Sequence, residues 1–399
     1  MKKIMILGAS ILQLPAILKA KEMGLQVIAV DMNKNAIGFK YADITFNIST
    51  IDTEEVLKLA KENNIDGIMT LASDIPMRTV AVVSKEMGLQ AIDEQTALKA
   101  TNKILMREAL KKYNVPIPKF YRVETYEEYL KNLENFNDKI IVKPADNSGS
   151  RGVILIEKGF DLLSLENAFN YSKQHSKNGE IIIEEYMEGK EVSVEALSIK
   201  GEVHIISITD KITTGAPNFV EMGHSQPSSL LEEIKDRIAE VAIDGIKALG
   251  IKEGPSHTEI IVTEEGPKIV EIGARLGGDN ITTHLVPLST GINMVECCIK
   301  IALGEKPSFE RKYSKGSAIR YFKSDIGKII SITGIEDMKK KFSEIQQITL
   351  VKNVGDFVDE INSSSDRIGF VIAQEQEVAK AIEICNECIN YIKIKVEKY

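Results

Sequence analysis

The run Ile140-Ile141-Val142-Lys143-Pro144 ends an apolar stretch on a lysine, and Ala145 to Val153 follows with Ser148, Gly149, Ser150 and Gly152. A strand that delivers one ammonium beside a loop of small residues can hold phosphate with a point charge and several backbone N–H groups. The competing reading is a surface hairpin with a solvated lysine. A second element, Ile181 to Glu195, runs from an apolar strand through Glu184-Glu185-Tyr186-Met187 to a turn at Gly189, then into a strand that puts Glu191, Ser193 and Glu195 on one side. Extended backbone there can read an adenine edge, and a carboxylate just beyond it can accept from ribose hydroxyls; the plain alternative is an acidic sheet face. The third element is Glu259 and Glu271, on two strands joined by the turn Thr263 to Pro267. An antiparallel hairpin brings both to the same side, and two carboxylates suit Mg²⁺ bound to a nucleotide, whose phosphates and waters complete the shell. Arg275, four residues further on and beside Gly277 and Gly278, suits a pentavalent phosphorus or an acyl-phosphate oxygen.

These residues need elements to hold them. Ile4–Leu7, a helix through Ala16 to Met23 and Val27 to Asp31 make one βαβ unit; a helix at 53–63, a strand at 67–71, a helix at 75–87 and Ala91-Ile92 make a second set. A helix over 103–113 follows, then strands alternating with helices to about 190, and strand-rich segments at 190–210 and 255–272. Residues 211–228, with Gly215, Pro217, Gly223 and Pro227, read as a long loop of the kind that closes over substrates. After Gly304 the pattern predicts a smaller mixed segment, with strands near 317–322 and 368–373 and a last helix from about 376.

With 399 residues, the chain exceeds what one core comfortably supports, so two or three lobes with a cleft are expected. The balance of 27% charged and 43% apolar residues is that of a soluble globular protein, and the apolar stretch after Met1 is too short for a signal core or membrane span. The expected location is the cytoplasm, with no membrane partner. A net charge of −8, with basic residues interleaved among acids, argues against nucleic-acid binding. Apolar stretches in the N-terminal region are compatible with a homodimer. Cys297-Cys298 and Cys385-x-x-Cys388 fall in helical patterns and read as packing rather than as a disulfide framework or metal site. Gly8-x-Ser10-x-x-Gln13 with Asp31 lacks the second and third glycines of a dinucleotide fingerprint and reads as a structural turn. His224 is weighed between a substrate or phosphate contact and a solvated loop histidine, and His257 between packing and orienting its neighbour Glu259.

The three elements, in this order and at these separations, resemble ATP-grasp enzymes over roughly residues 1–305. The resemblance implies an α/β ATP-grasp fold: an N-terminal parallel-sheet, Rossmann-like domain over 1–95, a two-lobed ATP-grasp domain over 96–305 with ATP between the lobes, and a small C-terminal α+β domain over 306–399. It implies Lys103 and Lys143 on the phosphates and Ser148, Gly149 and Ser150 in a loop closing over them. Glu184, Glu185 and Met187 fall at the adenine hinge, Glu191 at the ribose, and Glu259 with Glu271 on Mg²⁺, or Mn²⁺ in its place. Arg275 is then expected on an acyl phosphate, with His224, Gly277 and Gly278 beside the substrate. The chain departs from the pattern at Gly273, where many members have Asn, so two metal carboxylates are expected rather than three oxygen ligands. The Glu271–Arg275 run is similar to a subset that includes L-amino-acid ligases that make dipeptides and some purine-pathway members, and His257-Thr258-Glu259 with Ala274 to Asp279 is similar to the amino-acid ligases. The implied activity is ADP-forming carboxylate–amine ligation on small-molecule substrates, through an acyl phosphate. Its rivals are a bicarbonate-using or carbamoyl-phosphate-type relative and a nucleotide-binding regulatory protein without turnover.

Overall fold

Four sheets organise the chain, in a computed structural model that describes residues 1–147, 149, 151–157, 159 and 161–397. The N-terminal sheet is parallel, in the order Ile44–Phe46, Gln26–Val30, Lys3–Leu7, Gly67–Thr70. Its central strands are apolar almost throughout because helices such as Leu14–Glu22 and Pro76–Met87 cover them, as a parallel sheet requires. Ala91-Ile92 is not part of it; the short strand Ile44–Phe46 takes the edge instead. The turn after the first strand is filled by the chain itself. Gly8 has φ +95°, and the buried side chain of Gln13 packs over it while its Nε2 donates to the Leu71 carbonyl at 2.6 Å. Asp31 accepts from the Ala9 N–H at 2.7 Å, so the turn is locked by side chains where a dinucleotide site would leave open backbone.

A second sheet forms a small lobe, antiparallel throughout, in the order Phe120–Val123, Ile181–Glu185, Ile140–Pro144, Ile154–Ile156. Helices Tyr126–Leu133 and Leu162–Gln174 cover one face around a core of Val123, Tyr129, Val142, Phe169 and Ile183. The other face carries Lys143 and Glu184 and looks toward the third sheet.

That third sheet has eight antiparallel strands: Gly266–Gly273, Gly254–Thr263, Lys190–Ile199, Glu202–Thr213, Glu221–Gln226, Gly316–Tyr321, Gly369–Glu375 and Ile345–Leu350. The last three of these come from the C-terminal part of the chain, so residues past 305 continue the sheet that carries Glu259 and Glu271. A fourth sheet, Phe357–Val358, Gly327–Thr333, Lys393–Glu397, packs with helix Val378–Tyr391 at the C-terminal end.

Residues 211–228 do not form the expected long loop. They extend one strand to Thr213 and build another over Glu221–Gln226, leaving 214–220 as the connection. Glycine misled here because Gly223 sits within a strand against the Arg320 side chain, where a Cβ would come within 2.8 Å of its Cδ. All four cysteines are buried and free, and burial raises the Cys385 and Cys388 thiols to about 12 and about 11. Among the described residues no single helix is long and apolar enough to cross a membrane.

Candidate active site

Glu259 and Glu271 are directly opposite in the register of strands Gly254–Thr263 and Gly266–Gly273, as the antiparallel hairpin reading anticipates. Directly opposed residues lie within contact distance on one face. Each carboxylate is matched by a lysine: Glu271 meets Lys103 Nζ at 3.2 Å, and Glu259 meets Lys211 Nζ at 3.1 Å. Lys103 begins helix Lys103–Lys112, whose N-cap Asn102 accepts from the N–H groups of Ile104 and Leu105. The Lys103 N–H donates to the Ala145 carbonyl at 2.7 Å and its Nζ to the Asn147 carbonyl at 2.7 Å, which ties the helix start to the loop following Lys143. Asp74, Asn102, Lys103, Asn147 and Glu271 line a small pocket at this junction.

Lys143 is 6% exposed and its Nζ lies 2.6 Å from Glu184 Oε2. The same carboxylate takes Arg107 in a forked pair, Nε at 2.6 Å and Nη2 at 3.2 Å, while Arg107 Nη2 also donates to the Val270 carbonyl. Burial works against the Glu184 carboxylate, but Arg107 and Lys143 outweigh it and bring the group to about 2. Burial likewise pushes the Lys143 ammonium down, with Glu184 opposing. The Glu184 side chain therefore turns inward and orients Lys143. Arg107 carries no local signature except its place one turn after Lys103 on the same helix face.

At the hinge, the N–H groups of Glu185 and Tyr186 are taken by the carbonyls of Lys119 and Lys139. Glu185 Oε1 pairs with Lys268 Nζ at 2.8 Å. Among the described residues the Met187 N–H has no hydrogen-bond partner, which leaves it available to a planar ligand edge. Gly149 has φ +65° with open space around its Cα, and Ser148 and Ser150 lie outside the described residues.

Lys211 is the main residue missed in the sequence. Its ammonium is 2.5 Å from Glu191, 3.1 Å from Glu259 and 3.8 Å from Glu221; burial opposes the charge, and these carboxylates hold its pKa well above the ordinary lysine value. The Glu191 carboxylate thus faces the same side as Glu259. His257 joins from below, with Nδ1 at 2.6 Å from the fully buried Glu195 and Nε2 at 3.4 Å from Glu259. Burial lowers this imidazole, but Glu195 and Glu259 raise it to about 9, so it stands as a cation that orients Glu259.

Arg275 is not a free guanidinium. Asp74, on the segment after strand Gly67–Thr70, takes its Nε at 2.8 Å and Nη2 at 3.3 Å, which anchors the N-terminal sheet to the reaction face. Gly277 passes over the buried pair: a Cβ there would meet His257 Nδ1 at 2.7 Å and Glu195 Oε2 at 2.9 Å. Gly278 is less crowded, with Ala72 Cβ at 3.5 Å. His224 sits 1% exposed within strand Glu221–Gln226, not on a loop, and its Nε2 lies 3.3 Å from Asp279.

A small antiparallel lobe that carries Lys143 faces a large antiparallel sheet that carries the paired carboxylates, the layout of an ATP-grasp fold. Residues 136–283 match the ATP-grasp domain family, and residues 320–397 match the L-amino acid ligase C-terminal domain 2 family. The chain therefore carries an ATP-grasp domain followed by the C-terminal domain of L-amino acid ligases. It is 28% identical over 350 residues to the L-arginine-specific L-amino acid ligase of Bacillus subtilis, covering 85% of this chain and 83% of that one. It is 25% identical over 412 residues to phosphoribosylamine–glycine ligase of Methanosphaera stadtmanae, covering 92% and 91%. Among solved structures, the L-amino acid ligase of Bacillus licheniformis superposes with a TM-score of 0.85 at 23% identity, covering 100% of this chain and 99% of that one, a likeness of fold.

Proposed function

We propose that this chain uses Mg-ATP to phosphorylate the carboxylate of an amino acid and passes the acyl group to an amine, releasing ADP and phosphate. The observation that carries the reading is the facing pair Glu259 and Glu271, with Lys103 and Lys211 on their carboxylates. The two carboxylates fit Mg²⁺, or Mn²⁺: both are hard oxygen donors, about a quarter exposed, and their charge is already matched by cationic groups on Lys103 and Lys211. Gly273 supplies no third side-chain oxygen. When bound there, the divalent ion supplies charge neutralisation for the transferring phosphoryl group.

The chain's own residues do the rest. Lys143, held in place by Glu184 and Arg107, and Lys103, held by the start of its helix, present ammonium groups to the phosphates. The backbone of 185–187 receives the adenine edge, and Glu191 accepts from the ribose. Lys103 and Lys211, whose ammonium groups lie on Glu271 and Glu259, would be free to pair with phosphate oxygens when those carboxylates hold the ion. Arg275, oriented by Asp74, offsets charge on the acyl phosphate. Water must be kept from the acyl phosphate, which it would otherwise hydrolyse. His224, Gly277 and Gly278 border the substrate.

The units 1–95, 96–305 and 306–399 serve as support, catalytic body and substrate-side wall. Buried free thiols and ATP use are consistent with work in the cytoplasm. The test is ADP or phosphate release from Mg-ATP across single amino acids, amino-acid pairs and bicarbonate. Release that needs two amino acids, with a condensed product by mass, supports the proposal. Release with bicarbonate alone moves the chain to carboxyphosphate chemistry, and ATP binding without release anywhere supports a binding-only role.

A further inference from the structure

Beyond Glu259 the cleft wall continues into a second charged cluster, in which Glu221, Asp279 and Arg367 have no role above. Glu221 lies 3.8 Å from Lys211, and Arg367, from the C-terminal segment, reaches over it: Arg367 Nη1 donates to the Glu221 carbonyl at 3.0 Å. Arg367 also grips Asp279 through both terminal nitrogens at 2.7 Å each, gives its Nε to the Ser364 carbonyl at 2.9 Å, and lies over the Tyr321 ring at 3.8 Å. Asp279 additionally receives His224 Nε2 at 3.3 Å on its carboxylate and Tyr321 Oη at 3.4 Å on its carbonyl.

Asp279 and Asn280 both adopt left-handed backbone, φ +51° and +63°. Consecutive residues in this region persist only where surrounding contacts over-determine them. Here the contacts come from three distant stretches of chain, at 224, 321 and 367, so the position of this carboxylate is specified by tertiary structure. Donor and acceptor accounting then separates the roles. Most N–H groups of Arg367 are already engaged, which makes it a poor receptor for a substrate anion. The Asp279 carboxylate has taken three bonds out of the roughly four or more its two oxygens can accept, and its side chain is 21% exposed, against 10% for Arg367 and 1% for His224. Burial raises its carboxyl, but Arg367 and His224 outweigh this and keep it ionised.

We infer that Asp279 is a specificity-determining residue that accepts a hydrogen bond from an ammonium or hydroxyl group of the substrate, and that Arg367 is the positioning residue that holds it. This assigns the C-terminal segment a direct part in substrate selection, and it rests on the ligase reading above.

The test pairs turnover with equilibrium binding. Wild type, Asp279→Asn and Arg367→Lys are measured with the carboxylate panel, including for each donor-bearing substrate an analogue lacking the ammonium or hydroxyl. Asp279→Asn is expected to raise KM or Kd for the donor-bearing substrate at least tenfold, to leave the ATP constant within twofold, and to improve relative use of the analogue. Arg367→Lys keeps the charge but loses the fork, and is expected to move the same constant in the same direction, with ATP again unchanged. It also carries the test if Asp279→Asn does not fold. Substrate constants within twofold of wild type, or substrate and ATP constants that worsen together with a fall in Tm, overturn the inference in favour of a structural latch. A wild type that binds panel members without releasing ADP refutes the ligase reading alone, since the wall is then read from Kd. A wild type that binds none of them overturns both.

Discussion

Glu184→Gln changes one atom type at the most buried charge network of the site and has a calculable consequence. The amide keeps the shape of the side chain but leaves Arg107 and Lys143, 1% and 6% exposed, with no carboxylate between them. Removing one partner of a buried ion pair costs about 3–5 kcal/mol, because the other charge stays desolvated. The same two cations also depress the Glu184 carboxyl, and that depression implies a contribution of the same order. Its carboxyl falls from an ordinary 4.5 to about 2 in the folded chain. A depressed carboxylate contributes stability above its unfolded pKa and loses it as pH falls through the folded one. The contribution is therefore about 3 kcal/mol at pH 7 and roughly half that at pH 3. The assay is urea unfolding followed by tyrosine fluorescence, since the chain has no Trp and Tyr129 lies in the core of this lobe. Glu184→Gln should lower the midpoint markedly at pH 7, with the gap to wild type narrowing as pH falls from 4.5 toward 3. A variant as stable as wild type at pH 7, or a gap independent of pH, refutes the argument that this network holds Lys143.

Further outcomes follow from the same geometry. Glu271→Ala should abolish ADP formation while circular dichroism remains native; normal turnover removes Glu271 from the metal site. Lys211→Met removes the cation shared by Glu191, Glu221 and Glu259, leaving only His257 on Glu259, and should weaken stability by about 3 kcal/mol or more, partly restored by Mg²⁺ alone in a thermal-shift assay. Gly277→Ala drives a methyl into the Glu195–His257 pair and should cost about 1–3 kcal/mol in chemical unfolding; an unchanged midpoint means the segment moves freely. The four buried thiols should react with a thiol reagent only as fast as the chain opens, so rapid labelling in the native state contradicts their packing role.

Much of this site was legible from local pattern. Strand alternation placed Glu191 and Glu195 on one face, the turn at 263–267 paired Glu259 with Glu271, and the apolar run before Lys143 marked a strand that delivers an ammonium. Each depends on residues within one strand or one hairpin, whose geometry follows from backbone periodicity. The missing second and third glycines after Gly8 also correctly prepared for a turn closed by Gln13.

Only the tertiary structure decided which charge meets which. Arg107 and Glu184 are 77 residues apart, and Arg275 and Asp74 are 201 apart. No sequence period encodes such a pairing, because it depends on how sheets stack. The same holds for Lys211, which a Gly- and Pro-rich stretch disguised as a loop residue, and for Glu184, whose inward turn is set by cations on another strand and a helix. The continuation of the central sheet into strands Gly316–Tyr321 and Gly369–Glu375, which carries Arg367 toward Asp279, likewise arises from long-range strand order. Backbone chemistry wrote the local elements, and desolvation of charges brought together by packing chose their partners.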